Sequence, residues 1–408
     1  MSRNVPKLRF KGFEDEWKEK SFKDIFNGFE YGMNSAAVEF DGKNRYIRIT
    51  DIDDRNSKYK SKNPVSPEGI LEDKYLVKSN DILFARTGAS VGKTYLYDKE
   101  DGKLYFAGFL IRGNVNCENN AKFIFTQTKT LNYEKWVKVM SMRSGQPGIN
   151  SQEYSSYKIK VPSLQEQEKI ANFLSKVDSI IEKQEKKVEY WNSYKKGMMQ
   201  KIFSQKIRFK DKKGRNYPEW EKVHLNKFVE RVVRKNKDNV SKRPLTISAQ
   251  YGLVDQEEFF NKLVASKNLE GYYLLKNGEF AYNKSYSTGY PFGAIKRLDK
   301  YENGAVSTLY ICFKVKNNIN SDFIVQYFES SKWHKEIAMI AVEGARNHGL
   351  LNVSVSDFFE TIHYIPCLEE QNKISKFLLN IDNILFKENK KLEELVQWKK
   401  GLLQQMFI

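Results

Sequence analysis

Across residues 161–203 the apolar positions recur every seventh residue in two interleaved rows. One row is Ile170, Val177, Gln184, Trp191 and Met198, and the other is Leu174, Ile181, Val188, Lys195 and Ile202. The pattern returns across residues 365–407 as Ile374, Ile381, Glu388, Leu395, Leu402 and Leu378, Leu385, Leu392, Lys399, Met406. Apolar a and d positions sustained over about five heptads, with one polar interruption per row, predict a long helix with a packing seam. Some forty residues at 1.5 Å each make a rod of roughly 55–60 Å. The two stretches align without a gap at an offset of 204, and 19 of the 43 positions are identical. That offset is half of the 408 residues, so the chain is a tandem duplication.

Each rod has an entry signal. Pro162 or Pro366 opens it, and Glu166 or Glu370 follows in the first turn, where the helix dipole favours an acid. Two matching seams in one chain predict that the rods pack on each other, at Ile170, Leu174, Val177, Ile181, Val188 and Trp191 against Ile374, Leu378, Ile381, Leu385, Leu392 and Leu395. Antiparallel packing returns the chain to the first domain without a further linker, whereas parallel packing requires the second domain to span a whole rod. The alternative is that each helix packs only on its own domain. The expected fold is α+β: a mixed, β-rich domain followed by a long helix, twice over, with the helices in an antiparallel coiled coil of pseudo-two-fold symmetry.

The expected segments are a first domain at 1–161, a long helix at 162–204, a second domain at 205–364 and a C-terminal long helix at 365–408. The lead-ins also repeat: Arg9-Phe10-Lys11 matches Arg208-Phe209-Lys210, and Trp17 matches Trp220. In the first domain, residues 45–50 (RYIRIT) and 104–115 are expected as strands, 81–86 and 93–97 flank a glycine turn, and 121–142 is expected as helix. In the second, 243–248 and 306–315 are expected as strands, 278–283 precedes a glycine turn, and 321–341 is expected as helix. Strand order does not follow from the pattern.

Charge sharpens the picture. There are 69 Lys and Arg against 51 Asp and Glu, a net charge of +18, together with 23 Tyr and 27 Phe. Basic charge mixed with aromatics suits a polyanion, most often nucleic acid. The three cysteines, Cys117, Cys312 and Cys367, are scattered without metal spacing, as expected in a reducing compartment. No apolar signal core or membrane-length apolar run is present, so a soluble cytoplasmic protein is expected.

Candidate chemistry is then weighed site by site. GASVGKT, residues 88–94, has three residues between its glycines where a phosphate-binding loop has four. Its counterpart, TGYPFG at 288–293, keeps only the glycine spacing. The shared G-x-x-x-G turn is expected to bring backbone amides close to DNA phosphates, with Arg86, Lys93, Lys284 and Tyr286 beside it. Asp51, Asp53 and Asp54 cluster on a strand-to-loop edge, where solvated acids are the ordinary case. The four histidines lack paired spacing for zinc or for activating a nucleophile. No catalytic residue, metal site or cofactor is expected. Side chains that can bond base edges from open turns are Arg143, Gln146 and Asn150 in the first domain and Arg346, Asn347 and His348 in the second, with Arg48 on the RYIRIT strand.

Taken together, Pro162-x-Leu164-x-Glu166-Gln167-x-x-Ile170 and Pro366-x-Leu368-x-Glu370-Gln371-x-x-Ile374, each opening a coiled-coil helix, resemble the specificity subunits of Type I restriction–modification systems. The resemblance covers nearly the full length and is weaker in the second domain. It implies two target recognition domains joined by spacer helices. It also implies a non-catalytic subunit that binds double-stranded DNA and assembles with two modification (methyltransferase) subunits and two restriction (translocase–nuclease) subunits. A sequence-independent DNA-binding protein braced by a coiled coil is the alternative, and a nucleotide hydrolase using residues 88–94 is a third reading.

Overall fold

A computed structural model describes residues 4–143, 145–248, 251–260, 268–285, 289–341 and 351–408. The chain divides into two compact units, Met1–Glu185 with Lys390–Ile408, and Lys186–Asn389. Both long helices are unbroken, at Leu164–Phe203 and Leu368–Met406, so each unit holds half of each.

In the first unit, Ile170, Leu174 and Val177 from the head of the first long helix share a core with Leu402, Met406 and Phe407 from the tail of the second. In the second unit, Met199, Ile202 and Phe203 from the tail of the first share a core with Ile374, Leu378, Ile381 and Leu385 from the head of the second. Head meets tail both times, so the helices pack antiparallel, and each touches both β-rich domains. The seam follows the heptad rows. Ile170, Leu174, Val177, Ile374, Leu378, Ile381 and Leu385 are buried, and Ile181, Val188, Trp191, Leu392 and Leu395 are half-buried. The lysines that interrupt the rows have matched acids: Lys399 pairs with Asp178 and Lys195 with Asp382, each at 2.5 Å. Glu388 pairs with Lys187 at 2.7 Å.

Each unit is built on a four-stranded antiparallel sheet with the same strand order. In the first it runs Phe26–Tyr31, Leu110–Val115, Asp81–Ala85, Thr94–Leu96, and in the second Val229–Arg231, Ile311–Val315, Phe280–Asn283, Ala294–Arg297. The registers match, since Phe84 pairs with Ile111 as Tyr282 pairs with Ile311. A two-stranded ribbon closes each domain just before its long helix: Lys18–Ser21 with Lys158–Val161, and Glu221–His224 with Ile362–Ile365. The domains diverge at their smaller sheets. Arg45–Ile47 pairs in parallel with Leu104–Phe106, whereas Tyr273–Lys276 pairs antiparallel with Asn303–Val306.

Several expected elements are shorter than their sequence pattern. The apolar run 104–115 is two strands, because Leu110 N–H donates to Ala107 O at 2.8 Å and turns the chain. The run 306–315 breaks the same way, with Tyr310 N–H on Ser307 O at 3.1 Å. Helix 121–142 is split into Ala121–Gln127 and Leu131–Met140, because Thr130 leaves helical geometry and its hydroxyl caps Tyr133 N–H. RYIRIT is a strand only over Arg45–Ile47.

The repeated Glu-Gln pair has a structural role beyond the helix dipole. Glu166, 1% exposed, takes both Nε and Nη2 of Arg9 at 2.8 Å, and Glu370, fully buried, takes Arg208 at 3.3 and 2.8 Å. This clamps each lead-in to the start of its helix. Gln167 accepts from Asn120 N–H at 3.0 Å and donates to Pro162 O, as Gln371 accepts from Asn320 N–H at 2.8 Å and donates to Pro366 O. Asn120 and Asn320 are the N-caps of Ala121–Gln127 and Ser321–Glu329. One dipeptide therefore locks two parts of each domain onto its spacer.

Candidate nucleic-acid interface

In the first unit the G-x-x-x-G turn leaves the central strand Asp81–Ala85. Gly88 and Gly92 both have positive φ, and so do Gly289 and Gly293 in the second unit. A Cβ on Gly92 would lie 2.5 Å from Val137 Cγ1, and one on Gly293 would lie 2.1 Å from Asn283 O. Backbone geometry and close packing thus account for the glycine spacing. Residues 94–96 are a strand, and Thr94 is fully buried, so the turn does not open a helix as a phosphate-binding loop does.

The turn is joined to the segment 145–150. Gly88 N–H donates to Pro147 O at 2.9 Å, Ile149 N–H donates to Arg86 O at 2.9 Å, and Thr87 bridges Gly148. A Cβ on Gly88 would meet the Gln146 amide at 3.0 Å. Arg86, Gln146 and Asn150, distant in sequence, are thereby brought together. The Arg86 guanidinium lies 4.8 Å over the Tyr31 ring, whose hydroxyl accepts from Ser151 N–H at 3.2 Å. Arg86 has no ion pair among the described residues, which leaves its charge available to an anion.

Other candidates carry local partners. Asn150 is the N-cap of Ser151–Ser156; its Oδ1 accepts from Glu153 N–H at 2.9 Å, and Arg143 pairs with Glu153. Arg48 is held bidentately by Asp51 at 2.8 and 2.9 Å. Lys93 pairs with Asp54, which lowers that carboxyl below its ordinary value. Asp53 accepts from Arg55 N–H at 2.9 Å. The three clustered acids thus each have a structural task, and among the described residues no group of three or more His, Cys, Asp or Glu is placed to hold a metal. The Asp51–Lys60 loop is further anchored by Lys129, which donates to Ser57 Oγ and Thr94 Oγ1 at 2.7 Å; burial pushes its amine down to about 7.

In the second unit Lys284 occupies the position of Arg86. Its carbonyl accepts from Leu351 N–H at 3.0 Å and its amine donates to Val353 O at 3.1 Å. Tyr286, Arg346, Asn347 and His348 lie outside the described residues. His363 is buried between Tyr327 OH (2.9 Å) and Thr361 Oγ1 (2.8 Å), and burial pushes it down to about 3, a structural histidine.

Sequence reasoning missed two positions of the sheet frame that carries Arg86 and Lys284. By sheet register, Tyr31 matches Val233 and Phe109 matches Leu309, and all four are exposed. The only sequence signal is an apolar residue two places before the matched isoleucines Ile111 and Ile311, and the extended strand expected there hid the turn.

A family model described as the Type I restriction modification DNA specificity domain matches residues 14–190. The MjaVIII specificity subunit of a Type I restriction enzyme from Methanocaldococcus jannaschii is 26% identical over 366 residues, covering 82% of this chain and 80% of the relative. The fold is that of the S subunit of a Type I restriction–modification system from M. genitalium, with a TM-score of 0.58, 16% identity and 99% of both chains covered. A chain from a study of complex assembly and conformational transition of the type I R-M system aligns with a TM-score of 0.54 at 13% identity, over 97% of this chain and 99% of that one.

Proposed function

We propose that the chain is a specificity subunit of a Type I restriction–modification system, a reading its match to that family's DNA specificity domain supports, and that each of its two domains reads one half of a bipartite DNA target. The long helices would set the number of unread base pairs between the halves. The chain would act without catalytic residues of its own, in the cytoplasm, supplying sequence choice to methyltransferase and translocase–nuclease partners bound to the same DNA.

One observation carries this reading. The same sheet frame occurs twice in one chain and presents different side chains at matched positions, Arg86 and Tyr31 in one unit and Lys284 and Val233 in the other. Arginine offers a planar fork to a guanine edge, whereas lysine offers a point charge, so two such frames favour different sequences. Linking them makes the second binding event intramolecular, which raises affinity for DNA carrying both halves at the right distance.

Single-molecule mapping of methylated sites in a host expressing the chain with its methyltransferase partners tests this. The expected result is two short, dissimilar motifs separated by a fixed run of unspecified bases. Binding without any motif, with a steep fall as salt rises, would instead support the sequence-independent DNA-binding protein.

A further inference from the structure

Both domains hold a large apolar side chain out in solvent at one position of the fold. Phe109 is 60% exposed and Leu309 is 64% exposed. A lone exposed apolar residue needs no explanation, but this one recurs in two domains whose sequences have otherwise diverged around it. The closing bonds of the turn recur too, Leu110 N–H on Ala107 O and Tyr310 N–H on Ser307 O.

In the first unit the tip is held on three sides. Ala107 N–H donates to Ile47 O at 3.0 Å, Gly108 N–H to Met33 O at 2.8 Å, and Arg86 N–H to Phe109 O at 3.0 Å. Gly32 packs so closely that a Cβ there would fall 2.2 Å from Ala107 O. Phe109 thus projects its ring from a fixed backbone that is bonded directly to Arg86, the cation stacked on Tyr31. An apolar side chain gains nothing from a phosphate. Among the groups on DNA base edges it has one apolar partner, the C5-methyl of thymine in the major groove.

We propose that Phe109 and Leu309 are specificity-determining residues, each pressing against a thymine methyl at one position of its own half-site. The inference rests on the two-half-site reading above and adds the base chemistry at one position in each half. The ring of Phe109 and the branched chain of Leu309 give the two domains different contact shapes at the same place in the frame.

The test uses the full chain with its methyltransferase partners and duplexes carrying the mapped target, in which each thymine of the half-sites is replaced in turn by uracil. Uracil removes the methyl group and keeps the pairing. Wild type is expected to lose about fourfold in methylation rate, the worth of one buried methyl, at one thymine of the first half-site and one of the second. Phe109→Ala lowers the rate on thymine DNA and abolishes the uracil effect in the first half only, and Leu309→Ala does so in the second half only. Both side chains are exposed, so neither change should unfold its domain. Indifference of wild type to every uracil, or a full uracil penalty surviving in both variants, overturns the inference while leaving a bipartite map standing. A wild-type map without two half-sites instead removes the reading on which it rests.

Discussion

Glu370→Ala is expected to destabilise the second unit by about 3 kcal/mol, because removing one member of a buried ion pair leaves the other charge uncompensated. Glu370 is fully buried and accepts from Arg208 at 3.3 and 2.8 Å and from Trp220 Nε1 at 3.0 Å. Arg208 also holds the lead-in carbonyls of Tyr217 and Pro218, so its loss of anchorage frees the segment that connects the first long helix to the second domain. The matched change in the first unit, Glu166→Ala, removes the Arg9 bonds alone, since Trp17 Nε1 has no partner. It should therefore cost less. Urea unfolding followed by tryptophan fluorescence measures both. The Glu370→Ala midpoint should fall further than that of Glu166→Ala, and the double variant Arg208→Met/Glu370→Leu should regain most of the loss. An unchanged midpoint in Glu370→Ala would mean that the clamp contributes little.

Inserting four residues beside Lys186 is expected to lengthen the recognised gap by about one base pair and to abolish methylation at the original sites. Four residues add roughly 6 Å of rise and a little over one full turn, so the heptad seam continues almost in phase. The second long helix keeps its length, which holds the change below the roughly two base pairs that 6 Å alone would span at 3.4 Å per base pair. Both half-sites should persist in the methylation map because neither frame around Arg86 nor that around Lys284 is touched. An unchanged gap would remove the helices from the spacing role.

The duplication, the two long helices and their shared seam were legible because apolar periodicity over some forty residues outweighs local accidents. Even the seam's polar interruptions were visible, although their reason, Lys195 with Asp382 and Lys399 with Asp178, needed the antiparallel pairing. Glu166 and Glu370 were legible as first-turn acids but not as clamps, since their partners lie some 160 residues away in sequence. The strands were overextended at 104–115 because the strand-forming runs Leu104–Phe106 and Leu110–Val115 flank Ala107 and Gly108 closely enough to read as one segment. That error concealed Phe109. Arg48 and Asn150 have the chemistry to meet a base, but an adjacent acid and a helix N-terminus occupy them first. Competition between a local partner and a ligand is a tertiary outcome, which residue type alone does not decide.

The central claim is that two dissimilar readers sit on one chain and act independently. Exchanging residues 205–364 for the corresponding domain of another such subunit, and mapping methylated sites in the presence of the methyltransferase partners, tests it most directly. The account predicts that the second half-site changes to that of the donor while the first half-site and the gap stay as they were. A chimera that folds and methylates DNA but shows a changed first half-site would contradict it.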